Sequence, residues 1–364
     1  MAIFTDVFED VTKQGRKIPT SDYHESGLHP IIDQGQSEIA GYTDEENGLF
    51  TDIPAIIFGD HTRVLKYVDT PCFLGADGVK LLKAKIANPN YKYLYYVLSN
   101  ANIPNTGYNR HFKWLKEVEI PLPSESEQWK IVEIMDKISE LIALRKEQHA
   151  KLDQLVKSRF IELFGDPIVN PMNWKKLKLV DVCTKLTDGT HFSPESYPEG
   201  EYRYVTAKNI KIDGFDFSNI TYVPKSVHDE IYARCNPEYG DVLYIKDGVT
   251  TGIAMVNTLH EPFTMLSSVA LLKQNRTLLE GAYLCGVLNN QNMYDAIRKD
   301  MGGAAITRLT IVKLKNIQIP MPPLELQTQF AAFVEQTEKS KLAIQQSLDK
   351  LELLKKALMQ EYFG

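Results

Sequence analysis

Residues Ile120 to Gly165 return as Ile319 to Gly364 without a gap, at a constant offset of 199 residues (319 minus 120). Both copies open on an apolar-proline lead-in, Ile120-Pro121-Leu122-Pro123 and Ile319-Pro320-Met321-Pro322, and both place a glutamine at the same point, Gln128 and Gln327. They also close alike: Lys151-Leu152, Leu155, Lys157 and Phe164-Gly165 match Lys350-Leu351, Leu354, Lys356 and Phe363-Gly364. Register held this long makes the chain two copies of one plan. A period near 200 residues is far beyond the roughly 20–50 residues of a solenoid unit, so the repeating object is a whole domain followed by a helix. At 364 residues the chain also exceeds a single core. The repeat divides it into a first domain (1–119), a central helix (120–165), a second domain (166–318) and a C-terminal helix (319–364).

Prolines favour an extended approach and suit the first turn of a helix. Beyond them apolar residues recur at three- and four-residue steps: Ile131, Ile134, Ile138, Leu141, Leu152 and Leu155 in the first copy, and Phe330, Phe333, Ile344, Leu351, Leu354 and Leu358 in the second. Such spacing predicts one heptad-type apolar seam on each helix. About 35 residues at 1.5 Å each reach roughly 50 Å, longer than a globular helix needs. Each seam can pack on its own domain, but its length favours burial of the two against each other as a coiled-coil pair. Gly165 and Gly364 stand where a helix stop belongs.

The segments between the helices differ from each other and carry short β-like runs broken by Gly, Asp, Asn and Pro, which predicts mixed α/β domains. Echoes persist. Ile56-Ile57-Phe58 before Gly59-Asp60-His61-Thr62-Arg63 resembles Val242-Leu243-Tyr244 before Lys246-Asp247-Gly248, a buried strand delivering a polar loop. Leu115-Lys116-Glu117-Val118 likewise answers Leu314-Lys315-Asn316-Ile317 just ahead of each helix. Similar helices with divergent loops are what a fixed frame carrying variable readers would show.

Composition limits the partners. The four cysteines, Cys72, Cys183, Cys235 and Cys285, lie far apart with no paired spacing, so neither a disulfide framework nor a cysteine zinc site is expected. No stretch approaches the roughly 18–20 apolar residues of a membrane span and the N-terminus does not read as a signal peptide, which points to the cytoplasm. Net charge is −6, spread as 12 basic against 16 acidic residues in 1–119, 7 against 8 in 120–165, 17 against 17 in 166–318 and 5 against 6 in 319–364. Any nucleic-acid footprint must therefore be local. Eight single histidines, with no His-Glu-x-x-His, Gly-x-Ser-x-Gly or phosphate-loop lysine, leave no catalytic constellation. Phe73-Leu74-Gly75-Ala76-Asp77-Gly78 and Met301-Gly302-Gly303-Ala304 lack the strand-to-helix context of a cofactor loop and read as turns.

Two divergent domains, each followed by an Ile-Pro-x-Pro lead-in, a glutamine and a long helix, resemble the specificity subunits of type I restriction-modification systems over the whole chain. Ile-Pro-Met-Pro-Pro-Leu-Glu-Leu-Gln at 319–327 is similar to the family's approach to a spacer helix. Asp188-Gly189-Thr190-His191, Tyr204-Val205-Thr206-Ala207-Lys208-Asn209-Ile210 and Gly240-Asp241-Val242-Leu243-Tyr244 resemble the ordered landmarks of a recognition domain. The first half departs where Ser124-Glu125-Ser126-Glu127-Gln128 replaces the usual second proline and leucine. The resemblance implies an α+β fold: two mixed α/β target recognition domains joined by two long antiparallel coiled-coil spacer helices with a pseudo-twofold repeat. It also implies a non-catalytic adaptor that binds double-stranded DNA at a bipartite target. Such subunits recruit two methyltransferase (modification) subunits and, through them, restriction subunits. S-adenosylmethionine would then belong to the modification subunit, and ATP and Mg to the restriction subunit, with no cofactor in this chain. The rival readings are a protein-binding coiled-coil adaptor without DNA readout and an enzyme with unfamiliar motifs.

On the DNA reading, candidate contacts are polar-basic loops with aromatics. Arg and Lys suit guanine edges or phosphate, and Asn suits adenine. In the first domain these are Asn105, Thr106, Tyr108, Asn109, Arg110, His111 and Lys113, then His61 and Arg63. In the second they are Thr190 and His191, Lys208 and Asn209, Lys246 with Thr250 and Thr251, and Thr307 with Arg308. Each of these loops could equally be a solvated turn.

Overall fold

The computed structural model describes residues 1–75, 77–299, 301 and 308–364. Contacts divide the chain into two compact units, Met1–Lys146 with Gln346–Gly364, and Glu147–Gln345. Each unit is thus an α/β domain plus a part of both long helices.

In the first unit a four-stranded antiparallel sheet runs in the order Phe8–Asp10, Val79–Ala84, Ala55–Gly59, Leu65–Val68. A three-stranded sheet holds His29–Ile32 between Gly41–Thr43, antiparallel, and Phe73–Leu74, parallel. The second unit repeats both. Its four strands run Cys183–Asp188, Val269–Gln274, Val242–Ile245, Ala254–Val256. Its three-stranded sheet holds Tyr202–Val205 between antiparallel Thr221–Val223 and parallel Thr264–Met265. The echo between Ile56-Ile57-Phe58 and Val242-Leu243-Tyr244 is therefore one strand in one topology.

Those runs are apolar throughout because both faces of the strand are covered. Ile56 and Phe58 pack with the helix Tyr91–Asn100, while Ala55 and Ile57 point to a separate core with Leu74 and Leu81. In the second unit Val242 and Tyr244 join Tyr283 and Leu284 of the helix Gly281–Leu288, while Leu243 and Ile245 pack with Val205 and Met265.

The repeated lead-ins do the same work twice. Ile120 pairs with Ala2, and Ile319 with Leu177, in short antiparallel ladders. Tyr93 donates its hydroxyl to the Pro121 carbonyl (3.0 Å) and Tyr283 to the Pro320 carbonyl (2.7 Å). Gln128 donates to the Pro123 carbonyl (3.0 Å) and Gln327 to the Pro322 carbonyl (2.9 Å).

The two long helices are Glu125–Phe164 and Leu324–Phe363, 40 residues each, or about 60 Å at the helical rise. Both exceed the expected 35 residues because they start within two residues of the last lead-in proline. Within each unit they run antiparallel. Lys146 meets Glu352 (3.0 Å) and Lys355 meets Ser139 (2.9 Å) in the first unit. Lys341 meets Asp153 (2.8 Å), and Phe160 meets Phe330, in the second. The helix Glu125–Phe164 ends on Gly165 at φ 74°, whose N–H bonds the Ile161 carbonyl, the left-handed stop that glycine adopts without a Cβ clash.

Nine of the twelve expected seam residues are buried or half-buried, and three fall out of phase. Ile134, Leu155 and Leu354 are exposed, and Met135, Val156 and Lys355 take their places. Lysine can do so because its aliphatic stem covers apolar surface while the ammonium reaches a polar partner. Lys341 sits on the same seam, buried and held by Asp153 and Glu338.

Candidate nucleic-acid interface

The two candidate loops of the first unit, more than forty residues apart in sequence, are joined in space. Gly59–Arg63 turns between Ala55–Gly59 and Leu65–Val68, and Asp60 reaches from it under the second loop. His111 donates to the Asp60 carbonyl from its backbone N–H (2.8 Å) and from Nδ1 (2.9 Å), and the Phe112 N–H bonds Asp60 Oδ1 (2.7 Å). A carbonyl only accepts, so Nδ1 carries the proton of the His111 ring. On the outer side His61 donates from Nδ1 to the Asn109 carbonyl (3.2 Å), and its ring stacks on Tyr108 with centroids 4.7 Å apart and planes 8° from parallel. Arg63 holds a left-handed φ of 63° while its guanidinium donates to the Ile103 carbonyl (3.1 Å). The other left-handed non-glycine positions among the described residues are asparagines, which tolerate this region, whereas arginine sits there at a cost of about 1 kcal/mol. The tether to Ile103 offsets that strain.

These anchors leave an exposed rim. Tyr108 is 87% exposed, and Asn105, Thr106, Asn109, Arg110 and Lys113 are exposed around it. A surface concavity of about 530 Å³ is lined by Thr106, Asn109, Arg110, Lys113 and Trp114, with the Lys113 ammonium 4.1 Å from the Trp114 ring centroid. Cations, amides and an open aromatic face on a braced loop can contact phosphate, base edges or a base plane.

In the second unit His191, Lys246 and Arg308 of the expected residues gather around carboxylates. The backbone at Gly189 passes so close to the neighbouring chain that a Cβ there would lie 2.0 Å from the Met265 carbonyl oxygen. Thr190 next to it bonds that same carbonyl through its N–H (2.8 Å). Asp188 is thereby buried with His191 Nε2 at 3.2 Å and Lys246 Nζ at 3.4 Å. Lys246 also bonds Asp247 (2.8 Å), and Asp247 holds Arg308 Nε at 3.2 Å. His191, Lys208, Thr250 and Arg308 are exposed.

Burial assigns five of the expected contacts to the frame. His111 and Thr251 are fully buried, and Thr190, Asn209 and Lys246 nearly so. Thr251 bonds the Gly248 carbonyl (2.6 Å), and Asn209 closes a reciprocal cap with Thr206. His61 and Arg63 are half-buried braces. Thr307, with Ala76 and Gly302-Gly303-Ala304, lies outside the described residues. Sequence reasoning missed Arg234, which bonds Asp188 and the Gly189 carbonyl from the end of the helix Lys225–Arg234; a charged residue closing an exposed helix gives no signal of so distant a partner.

Burial pushes the thiols up, to about 11 for Cys72 and about 12 for Cys183 and Cys235. Among the described residues no group of three His, Cys, Asp or Glu side chains could hold a metal ion, and no helix is long and apolar enough to cross a membrane.

Two divergent α/β units built on one repeated frame of proline lead-ins and long helices define a class of paired recognition modules. The chain matches the type I restriction modification DNA specificity domain family over residues 4–154 and again over 171–353, and it belongs to that family. It is 21% identical over 336 residues to the EcoR124I/EcoR124II specificity subunit of Escherichia coli, covering 87% of this chain and 81% of that one. A putative type I specificity subunit of Haemophilus influenzae, S.HindORF215P, is 24% identical over 290 residues, 74% of this chain and 72% of its own. The fold is shared with the crystal structure of the type I S subunit from M. genitalium, at TM-score 0.63 and 16% identity over 100% of this chain and 95% of that one. A chain from a study of assembly and conformational transition of the type I system superposes at TM-score 0.54 and 20% identity, over 99% and 95% of the two chains.

Proposed function

We propose that this chain is the non-catalytic DNA-reading subunit of a type I restriction-modification complex. Each unit reads one half of a bipartite target, and the helices fix the gap between the halves and seat two methyltransferase subunits, through which restriction subunits join. S-adenosylmethionine, ATP and Mg belong to those partners, and the complex works in the cytoplasm. The observation that carries this reading is the convergence, in each unit, of a sheet-borne turn with the loop that leads into the long helix, where exposed cations stand on a buried, hydrogen-bonded base. Divergent residues on a common frame suit two independent half-sites.

The test is to co-express the chain with type I methyltransferase subunits in a host without adenine methylation, and to sequence the methylome. A two-part motif with a constant gap is expected. Exchange of residues 166–318 for those of a relative should change one half only, and Arg110→Ala should relax one base pair of the other half by about 1–3 kcal/mol. Methyl transfer by the chain alone, or no motif with the partner present, refutes the proposal in favour of an enzyme or a protein-binding adaptor.

A further inference from the structure

The second unit carries a line of alternating charges through its rim. Arg234 Nη1 lies 3.4 Å from Asp188 Oδ1, Lys246 Nζ lies 3.4 Å from Asp188 Oδ2 and 2.8 Å from Asp247, and Arg308 Nε lies 3.2 Å from Asp247. The middle of the line is buried and its ends are open: Lys246 and Asp188 are 4% and 6% exposed at the side chain, Arg234 and Arg308 are 49% and 65%. His191 stands on the same Asp188 oxygen as Arg234. Three permanent cations share two carboxylates, so the line keeps one positive charge of excess in a segment whose basic and acidic residues balance as a whole.

Arg234 is held in an unusual way for a surface arginine. Nη1 faces the buried carboxylate and Nη2 donates to the Gly189 carbonyl, which fixes the guanidinium plane and uses two of its five donors. Gly189 is itself locked against Met265, so the acceptor cannot drift. A surface arginine ordinarily loses rotamer freedom when it grips a ligand; here the ordering is done before any ligand arrives. A planar fork with free donors, excess positive charge and a fixed orientation matches a guanine edge better than a diffuse phosphate field.

We propose that Arg234 is a specificity-determining DNA contact of the second unit, and that Asp188 is the positioning residue that sets its guanidinium. The proposal rests on the DNA-reading function above. It separates two roles that charge counting would confuse. Removing a carboxylate from an acidic protein should tighten binding to a polyanion; removing a positioning carboxylate should blur sequence preference.

The experiment uses the full chain assembled with type I methyltransferase subunits, a pool of duplexes randomised across the target, and sequencing of the bound fraction at two salt concentrations. Arg234→Ala, Arg234→Lys and Asp188→Asn should each lower enrichment at one or two positions of one half-site by ~10-fold and leave the other half untouched, while binding to random duplex by Asp188→Asn holds or rises. Arg110→Ala should strike the opposite half. Arg234→Lys is the safeguard against misfolding, because it keeps the charge at an exposed site and removes only the fork. Retention of wild-type enrichment by the Arg234 variants, or loss of both halves by Arg234→Lys, overturns the assignment of Arg234, and an Asp188→Asn profile identical to wild type overturns the positioning role. A wild-type complex that enriches no sequence overturns the DNA-reading function itself.

Discussion

The glutamine that the two repeats share should be worth very different amounts in them. Gln327 is fully buried and uses its whole amide: Oε1 accepts from the Glu280 N–H (3.0 Å), and Nε2 donates to the Leu278 (3.2 Å) and Pro322 (2.9 Å) carbonyls. It therefore ties the start of one long helix to the start of the helix Gly281–Leu288. Gln128 is half-buried and makes the Pro123 bond without counterparts of the other two among the described residues. Methionine matches glutamine in length and removes only the polar end. Each lost hydrogen bond costs about 1 kcal/mol net, and each polar group left buried without a partner about 1–3. Gln327→Met should therefore cost about 3–5 kcal/mol, and Gln128→Met, where water can reach the freed carbonyl, about 1. Two units preclude a single two-state transition, so the assay is segment-resolved hydrogen exchange. Amides of Gly281–Leu288 should exchange on the order of 10²–10⁴ times faster in Gln327→Met, with Tyr91–Asn100 unchanged. Equal effects of the two substitutions would show that the hydrogen-bond geometry of Gln327 does not govern its energy.

The remaining expectations concern the seam, acid response and spacing. Burial pulls the Lys341 ammonium down but the Asp153 and Glu338 carboxylates outweigh it and hold its pKa above the usual lysine value, so its ion pairs contribute fully below the unfolded pKa and are lost only as pH rises through the raised folded one. At neutral pH Lys341→Met should cost about 0–1 kcal/mol, because the two carboxylates it leaves are half exposed and return to water, while Asp153→Ala should destabilise more, though by less than the ~3–5 of a buried charge left unpaired, since Lys341 keeps Glu338; segment-resolved hydrogen exchange of both variants checks the order. His228, stacked on Tyr202 and bonded through Nδ1 to Thr264, has its pKa lowered, chiefly by burial and also by Lys225, against the opposing charges of Asp229 and Glu201. The unfolded chain then binds a proton that the fold refuses, so the second unit should lose stability as pH falls through the unfolded value toward the lowered folded one, and His228→Gln should flatten that loss in exchange measured from pH 7 to 5. One added heptad in each helix at the Lys146 and Glu352 contact preserves seam phase and adds roughly 10 Å of helix. The methylated gap should lengthen by about three base pairs at ~3.4 Å each, and an unchanged gap would refute a helical ruler.

The frame was legible because it is written in local signals that repeat. An uninterrupted Ile56-Ile57-Phe58 run reads as a strand buried on both faces, and the lead-in prolines mark where each helix starts. Seam phase was less legible. Leu155 and Leu354 look like seam residues, yet Val156 and Lys355 occupy the positions, and nothing in a leucine-rich stretch distinguishes phases one residue apart when a lysine stem can fill the groove. The candidate loops are legible as polar stretches, but which of their side chains lie open is not. A polar residue beside a turn has the same local sequence whether it faces solvent, as Thr250 does, or closes a turn inside, as Thr251 does.

What sets the exposed residues apart is long-range anchoring, and the two units anchor their rims by different chemistry. The first uses hydrogen bonds donated to Asp60 and a His61–Tyr108 stack; the second uses ion pairs of the buried Asp188 and Lys246 with the part-buried Asp247. Neither set touches the repeated contacts, Tyr93 with Pro121 and Tyr283 with Pro320, that fasten each unit to its lead-in. A rim can therefore be rebuilt residue by residue, anchor included, while the frame keeps its own bonds. That independence lets the lead-in and closing residues of the helices repeat at an offset of 199 residues while the loops they carry differ.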